Sequence, residues 1–398
     1  MLFSSDRHEP VLRTAWDERR ARAAIEWIVR ESEEHFSTKG LWPTHPLDSK
    51  APAPQYALYW GACGVIWALR YLETQGAVAL SNDYEASMAL LIEPNRVAMG
   101  HPDATPFGSY LMGDTGIQLL KFWCSPSEEI ASQLASLIRY NMNHPTRELM
   151  WGSPGTLLAA LFMHERTNKP QWAQLFRDTA RILWSQLEWS AADACHYWTQ
   201  DMYGQRSSYL DAVHGFVATA SPLIQGRHLL EAGEWDSWSR CIENTVRRTA
   251  EWEDRLVNWR ARLSTARGSP KLMQYCHGAP GFVICLADFP DRSVDDLLIA
   301  GAEATWVAGP LRKGSNLCHG TGGNGYAFLK LYKRTGEAKW LERARAFAMH
   351  GIAQTEAAQA TYGQLRYSLW TGDPGFAIYL WDCVRAADRF PTMDIFFA

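Results

Sequence analysis

The sequence predicts an all-α fold, an α/α toroid in which seven inner helices are enclosed by seven outer ones. Three observations lead there. A Gly-x-x-Gly unit followed by an apolar run recurs along the chain, and the segments between units carry apolar residues at helical spacing. The units at the two ends are also no more polar than those in the middle.

The units, in order, are WGACGVIWALRYL at Gly61, MGDTGIQLLKFW at Gly113, WGSPGTLLAALF at Gly152, VHGFVATASPLI at Gly215, HGAPGFVICL at Gly278, HGTGGNGYAFLKLY at Gly320 and TGDPGFAIYLW at Gly372. In the fourth, alanine stands where the second glycine would be. Seven units at intervals of 39 to 63 residues are the signature of a repeat architecture. Each is short and apolar all round, so the helix it opens must be buried. The glycines let the backbone turn tightly and leave the first N–H groups of each helix open to a central cavity.

The outer helices follow from the intervening segments. Trp172, Leu175, Phe176, Ala180, Leu183 and Leu187 fall on one face at i, i+3, i+4 steps, as do Trp340, Leu341, Ala344, Phe347, Ala348 and Ile352. Such helices can cover the apolar ones. An open solenoid is the competing architecture, but it requires polar terminal caps, and closure into a ring is the better reading. Long strands are not expected; short hairpins in the connections are compatible. The expected organisation is a single domain, with residues 1–54 a helical segment packing on a toroid of residues 55–398.

Composition excludes several function classes. The formal charge of −4 and pI near 6.3 give no broad attraction to nucleic acid or an anionic membrane. No segment approaches the roughly 18 uninterrupted apolar residues of a membrane span, and the opening MLFSSDRHEPVLRTAWDERR has no signal-peptide core. Most of the eight cysteines sit in apolar runs and are expected as reduced thiols in a cytoplasmic protein.

Cys276 and Cys318 differ, because each opens a Cys-His-Gly tripeptide two residues before the first glycine of its unit. Equivalent positions on adjacent inner helices face one cavity at one height. They would bring two thiols and two imidazoles together at helix N-termini, which favour thiolates. Zinc is the natural occupant of such a sulfur and nitrogen set, and three protein ligands leave a position open for water or substrate. The residues allow Cys276, Cys318 and His319, or the same cysteines with His277. Duplication of a buried Cys and a capping His is the plainer explanation, but the pair is absent from the other five units. Tyr326 and Asn324 are further candidates to line the cavity. Glycoside hydrolysis would need paired carboxylates there. Only Asp114 and Asp373 lie within the units, so the Cys-His pairs would go unexplained.

Three stretches, YCHGAPGF (275–282), LRKGSNLCHGTGGNGYAFLKLY (311–332) and SLWTGDPGFAIYL (368–380), resemble the lanthionine synthetase C-like family. Weaker matches are FGSYLMGDTG, ELMWGSPG and AVHGF. The long stretch around Cys318 looks more like the stand-alone glutathione-binding branch than the dedicated peptide cyclases. The resemblance implies a toroid of seven inner and seven outer helices, zinc held by Cys276, Cys318 and His319, and His214 as acid/base residue, with His277 not a ligand. It matches Lys313 to a lysine that contacts glutathione and leaves Arg366 as the nearest candidate for the arginine that works with it. The cyclases carry an arginine shortly before the first zinc cysteine, where this chain reads KLMQY.

The implied reaction is addition of a thiol, glutathione or a cysteine of the peptide itself, to a dehydroalanine or dehydrobutyrine residue of a peptide or protein. A thiolate attacks the β-carbon, and the resulting enolate is protonated at the α-carbon. An imidazole such as His214 suits that transfer, with Asp211 or Asp114 as candidates to orient it. A zinc- and glutathione-binding scaffold without turnover is the alternative of another class.

Overall fold

The computed structural model describes residues 1–48, 53–100 and 106–398. Seven helices each start one residue after the first glycine of a unit: α2 (Ala62–Thr74), α5 (Asp114–Cys124), α7 (Ser153–Thr167), α9 (Phe216–Gln225), α11 (Ala279–Leu286), α13 (Thr321–Thr335) and α15 (Asp373–Arg385). Each packs on the next, and α15 packs back on α2, which closes the ring. Residues 279–286 of α11 are all buried, as an all-round apolar helix inside a second layer must be.

The outer layer is α1 (Glu18–Glu34), α6 (Glu128–Asn141), α8 (Pro170–Ser185), α10 (Ala232–Thr249), α12 (Asp295–Ala308) and α14 (Ala338–Tyr362). One slot departs from expectation. Between α2 and α5 the outer position holds two short helices, α3 (Glu85–Ala89) and α4 (Ile92–Ala98), in a stretch interrupted by Asn82-Asp83, Pro94 and Gly100. Helix α1, from the segment read as an N-terminal addition, lies along α15 and α14 and fills the outer slot beside the last inner helix. Residues 49–52, just before the expected 54/55 boundary, lie outside the described residues. Among the described residues, three antiparallel hairpins occur in the connections: β1 (Glu188–Ser190) with β2 (Cys195–Tyr197), β3 (Gln200–Met202) with β4 (Gln205–Ser207), and β5 (Ala250–Glu253) with β6 (Leu256–Trp259).

The second glycine of a unit is required by packing. A Cβ on Gly323 would run into the carbonyl oxygen of Leu317, six residues earlier in the loop that feeds the helix. Gly281 meets Tyr275 in the same way. Gly278 has the further constraint of φ +123°, which a side chain would not tolerate.

The feeding loops are stitched together around one rim. Cys276 N donates to Cys318 O (3.0 Å), Cys318 N to Trp370 O (2.8 Å), Trp370 N to Tyr59 O (3.1 Å), Tyr59 N to Leu111 O (3.0 Å) and Leu111 N to Met150 O (3.3 Å). Every residue in this line stands two before the first glycine of its unit, so equivalent positions do share one height. The C-terminal residues fill the ring. Tyr110 Oη donates to Thr392 O (2.5 Å), Trp67 Nε1 to Phe396 O (2.9 Å), and Phe390 stacks on Tyr275, beside Cys276, at 4.5 Å.

Candidate functional site

On this rim the ligand atoms of Cys276, Cys318 and His319 lie within 4.8 Å of one another. The cysteines are held by the backbone bond between their loops, and His319 by its N–H donating to Asn316 Oδ1 at 3.0 Å. Both sulfurs have donors: Tyr59 Oη to Cys318 Sγ and Gln274 Nε2 to Cys276 Sγ, each at 2.9 Å. Burial, with the neighbouring cysteine sulfurs, raises the Tyr59 pKa well above that of an ordinary phenol, so it remains a neutral donor. Hydrogen bonding to Cys318 and burial push the Cys276 thiol up. The hydrogen bond from Cys276 draws Cys318 down despite its burial, helped by Tyr59, Lys313 and Arg366.

Two thiols and an imidazole, at this spacing and with donors to both sulfurs, fit a soft or borderline divalent ion and suit a three-ligand zinc site. The rival histidine is engaged elsewhere. His277 Nδ1 pairs with Asp211 Oδ2 at 2.6 Å, and this histidine is outside the three-residue group. Burial works against its charge, but Asp211 outweighs this and brings the pKa to about 9.

His214 lies beside His277, with ring centroids 6.4 Å apart, and Tyr209 is close to both. Neither Asp211 nor Asp114 orients the His214 ring. His214 Nδ1 is held by Glu148 Oε2 at 2.8 Å. Asp211 instead accepts the His214 backbone N–H on Oδ1 at 2.8 Å and spends its other oxygen on His277. Asp114 is spent on Arg96, whose Nη2 lies 2.6 Å from its Oδ2. A carboxylate only accepts, so Nδ1 carries the proton and Nε2 is the nitrogen left for substrate. Burial opposes the imidazolium, but the hydrogen bond and charge of Glu148 overcome it and raise the pKa to about 8.

Glu148 and Asp211 occupy the same position, four residues before the first glycine of the third and fourth units. Each turns its own loop by accepting backbone N–H groups, Met150 N at 3.0 Å and Val213 N at 3.1 Å. Each then grips the histidine preceding the glycine of the next unit. The repeat thus builds two carboxylate–imidazole pairs side by side, followed by the Cys-His unit that lacks one. The recurrence of an acidic residue at that position was the signal that could have found Glu148.

Lys313 is exposed, and it and Arg366 both act electrostatically on Cys318. Arg366 lines a cavity of about 420 Å³ with His319 and Tyr59, and its Nε lies 3.0 Å from both carboxylate oxygens of Asp48. A third cation comes from the chain start. Arg7 Nη2 donates to Gln274 Oε1 at 3.2 Å, and the same amide reaches Cys276. Arg7 Nε is buried without a hydrogen-bond partner. No sequence signal marks this contact, since 267 residues separate the two. Tyr326 and Asn324 do not line the cavity but serve the core, with Tyr326 Oη on Asp382 at 2.7 Å and Asn324 Nδ2 on Met273 O at 2.9 Å. Asp373 is also buried and fixes the Arg366 loop by accepting its N–H at 2.8 Å.

A closed α/α toroid with a Cys-Cys-His group on one rim defines the class. A family model described as lanthionine synthetase C-like protein matches residues 16–395, and the chain belongs to that family. Among relatives, it is 29% identical over 266 residues to glutathione S-transferase LANCL1 of Danio rerio, 62% of each chain. It is 36% identical over 141 residues to LanC-like protein GCL1 of Arabidopsis thaliana, 33% of this chain and 32% of that one. The matched region therefore spans less than two thirds of either relative. Nisin cyclase has a similar fold, with TM-score 0.60 and 16% identity over 92% of this chain and 94% of that one. No helix among the described residues is long and apolar enough to cross a membrane.

Proposed function

We propose that this protein adds a thiol, glutathione above all, to dehydroalanine or dehydrobutyrine residues of a peptide or protein, forming a thioether. The observation that carries the reading is the meeting of Cys276, Cys318 and His319 with a carboxylate-held imidazole, His214, on one rim. Similarity to a protein named as a glutathione S-transferase supports glutathione as the thiol.

Cys276, Cys318 and His319 are the residues that would hold zinc, one ion per chain. Bound there, zinc would supply the Lewis acidity that makes a substrate thiol available as thiolate at neutral pH. The substrate sulfur forms its bond to the β-carbon while the C=C π pair moves onto the carbonyl as an enolate. His214, protonated and steadied by Glu148, gives its proton to the α-carbon and is re-protonated from solvent. The proton lost by the thiol balances the one gained, and no redox cofactor is needed. Lys313 and Arg366 neutralise carboxylates of the incoming thiol, and Arg7 adds positive charge beside Cys276. With eight free cysteines, the cytoplasm is the compartment this reading assigns.

The competing reading is cyclisation, in which the thiol is a cysteine of the acceptor peptide. Here the stretch before Cys276 lacks the cyclases' arginine, and the nearby positive charge comes from Arg7. Metal-loaded protein incubated with a dehydroalanine peptide and glutathione, read by mass spectrometry, tests the proposal. A glutathione adduct supports it. Ring closure in a Cys-containing peptide without glutathione transfer supports cyclisation. Glutathione binding with no thioether product makes the protein a zinc- and glutathione-binding scaffold.

A further inference from the structure

The cavity beside His319 presents an unusual pair of charges. Its lining includes His45, Asp48, Tyr59, Trp60, His319 and Arg366. Its volume of about 420 Å³ lies in the range of small-molecule sites. Arg366 is fixed from behind, because its N–H is bound by Asp373. Its Nε and Nη2 face the Asp48 carboxylate, while Nη1 takes part in no hydrogen bond among the described residues. The two side chains are 16% and 26% exposed, so ligand can reach the pair.

Three kinds of ligand head would fare differently here. A neutral head gains nothing from either charge. A lone carboxylate reaches Arg366 fully only by displacing Asp48 from a two-point contact, the strongest geometry for this pair. A head carrying an ammonium and a carboxylate on one carbon can keep the pair intact, adding its carboxylate at Nη1 and its ammonium at the outer lone pairs of Asp48.

We propose that Asp48 and Arg366 form a subsite for the free α-amino-acid head of the thiol substrate, with Asp48 receiving the α-ammonium and Arg366 the α-carboxylate. This deepens the reading above and rests on a thiol being bound beside His319. It selects thiols that keep an unblocked amino-acid end, as glutathione does at its γ-glutamyl residue, over thiols that lack one.

Titration calorimetry of the full-length, metal-loaded protein compares glutathione with glutathione acetylated on its α-amino group. Wild type should bind glutathione about tenfold more tightly, the worth of one charge-assisted hydrogen bond. Asp48→Asn should abolish the preference by weakening glutathione, and Asp48→Glu should restore part of it. Equal binding of the two ligands by wild type, or binding of neither, overturns the proposal. So does tighter glutathione binding by Asp48→Asn, which would make Asp48 a competitor that substrate must displace. If Asp48→Asn does not fold, the wild-type comparison decides alone. No acceptor or turnover enters this experiment, so absence of thioether product would remove the proposed reaction and leave the ligand comparison to stand or fall separately.

Discussion

His214 Nδ1 and Glu148 Oε2 lie 2.8 Å apart, yet they belong to consecutive repeats 66 residues apart in sequence. The carboxylate that turns one loop orients the imidazole on the next. Removing either partner should therefore affect proton transfer without removing a ligand from the Cys276, Cys318 and His319 group. His214→Asn should lower kcat by about 10²–10⁴, the usual contribution of a positioned acid or base, with metal content unchanged by elemental analysis. Unchanged turnover would remove His214 from the chemistry.

The pH profile gives the sign of Glu148's contribution. His214 must be protonated to supply the α-carbon, and its pKa is raised to about 8 by Glu148 against the burial penalty. The protonated fraction falls as pH rises through that value, so activity should decline on the alkaline side. Glu148→Gln removes the stabilising charge and should move that limb to lower pH. A limb that stays in place would mean another group sets it.

Metal affinity should depend on the hydrogen bonds to sulfur as well as on the ligands. Cys276→Ala and Cys318→Ala should each abolish stoichiometric zinc. Tyr59→Phe removes the donor to Cys318 Sγ and should weaken zinc binding by about 10–100-fold, the typical effect of such a partner. Competition with a chromophoric chelator measures both effects.

The glycine pattern makes a stability prediction. Gly323→Ala would force a Cβ against the Leu317 carbonyl and should cost about 1–3 kcal/mol, the range for overpacking. Gly233, on the outer helix α10, has nothing within 4 Å of an added Cβ, so Gly233→Ala should be neutral or gain up to about 1 kcal/mol from helix propensity. Urea unfolding should give a lower midpoint for Gly323→Ala than for Gly233→Ala, with unfolding free energies at least about 1 kcal/mol apart.

The inner ring was legible because its constraint is local. A glycine lying against a carbonyl six residues back leaves the same Gly-x-x-Gly mark in most units, and an apolar run must follow if the helix is buried. Cys276 and Cys318 were legible once the repeat fixed their shared height. What the pattern hid was the traffic between units. Glu148 lies in a recognised unit, but the carboxylate nearest His214 in sequence is Asp211, and sequence proximity points to that one first. Arg7 reaches Gln274 through a segment outside the repeat, seated by His8 Nδ1 on Gly309 O at 2.9 Å and by Arg312 N on Arg7 O at 3.0 Å. No periodicity foretells such a contact. The split outer slot of α3 and α4 escaped for a related reason: few of its residues face the ring, so its apolar pattern constrains the helix length weakly.

On the proposed reading, the Cys276–Cys318–His319 group and the Glu148–His214 pair act as one thioether-forming site. Its most direct measurement is the mass of a dehydroalanine peptide after incubation with glutathione and zinc-loaded protein, run beside His214→Asn. Wild type should give a single glutathione adduct, and the variant a rate close to the uncatalysed one. Stoichiometric zinc with no adduct above background from wild type would contradict it.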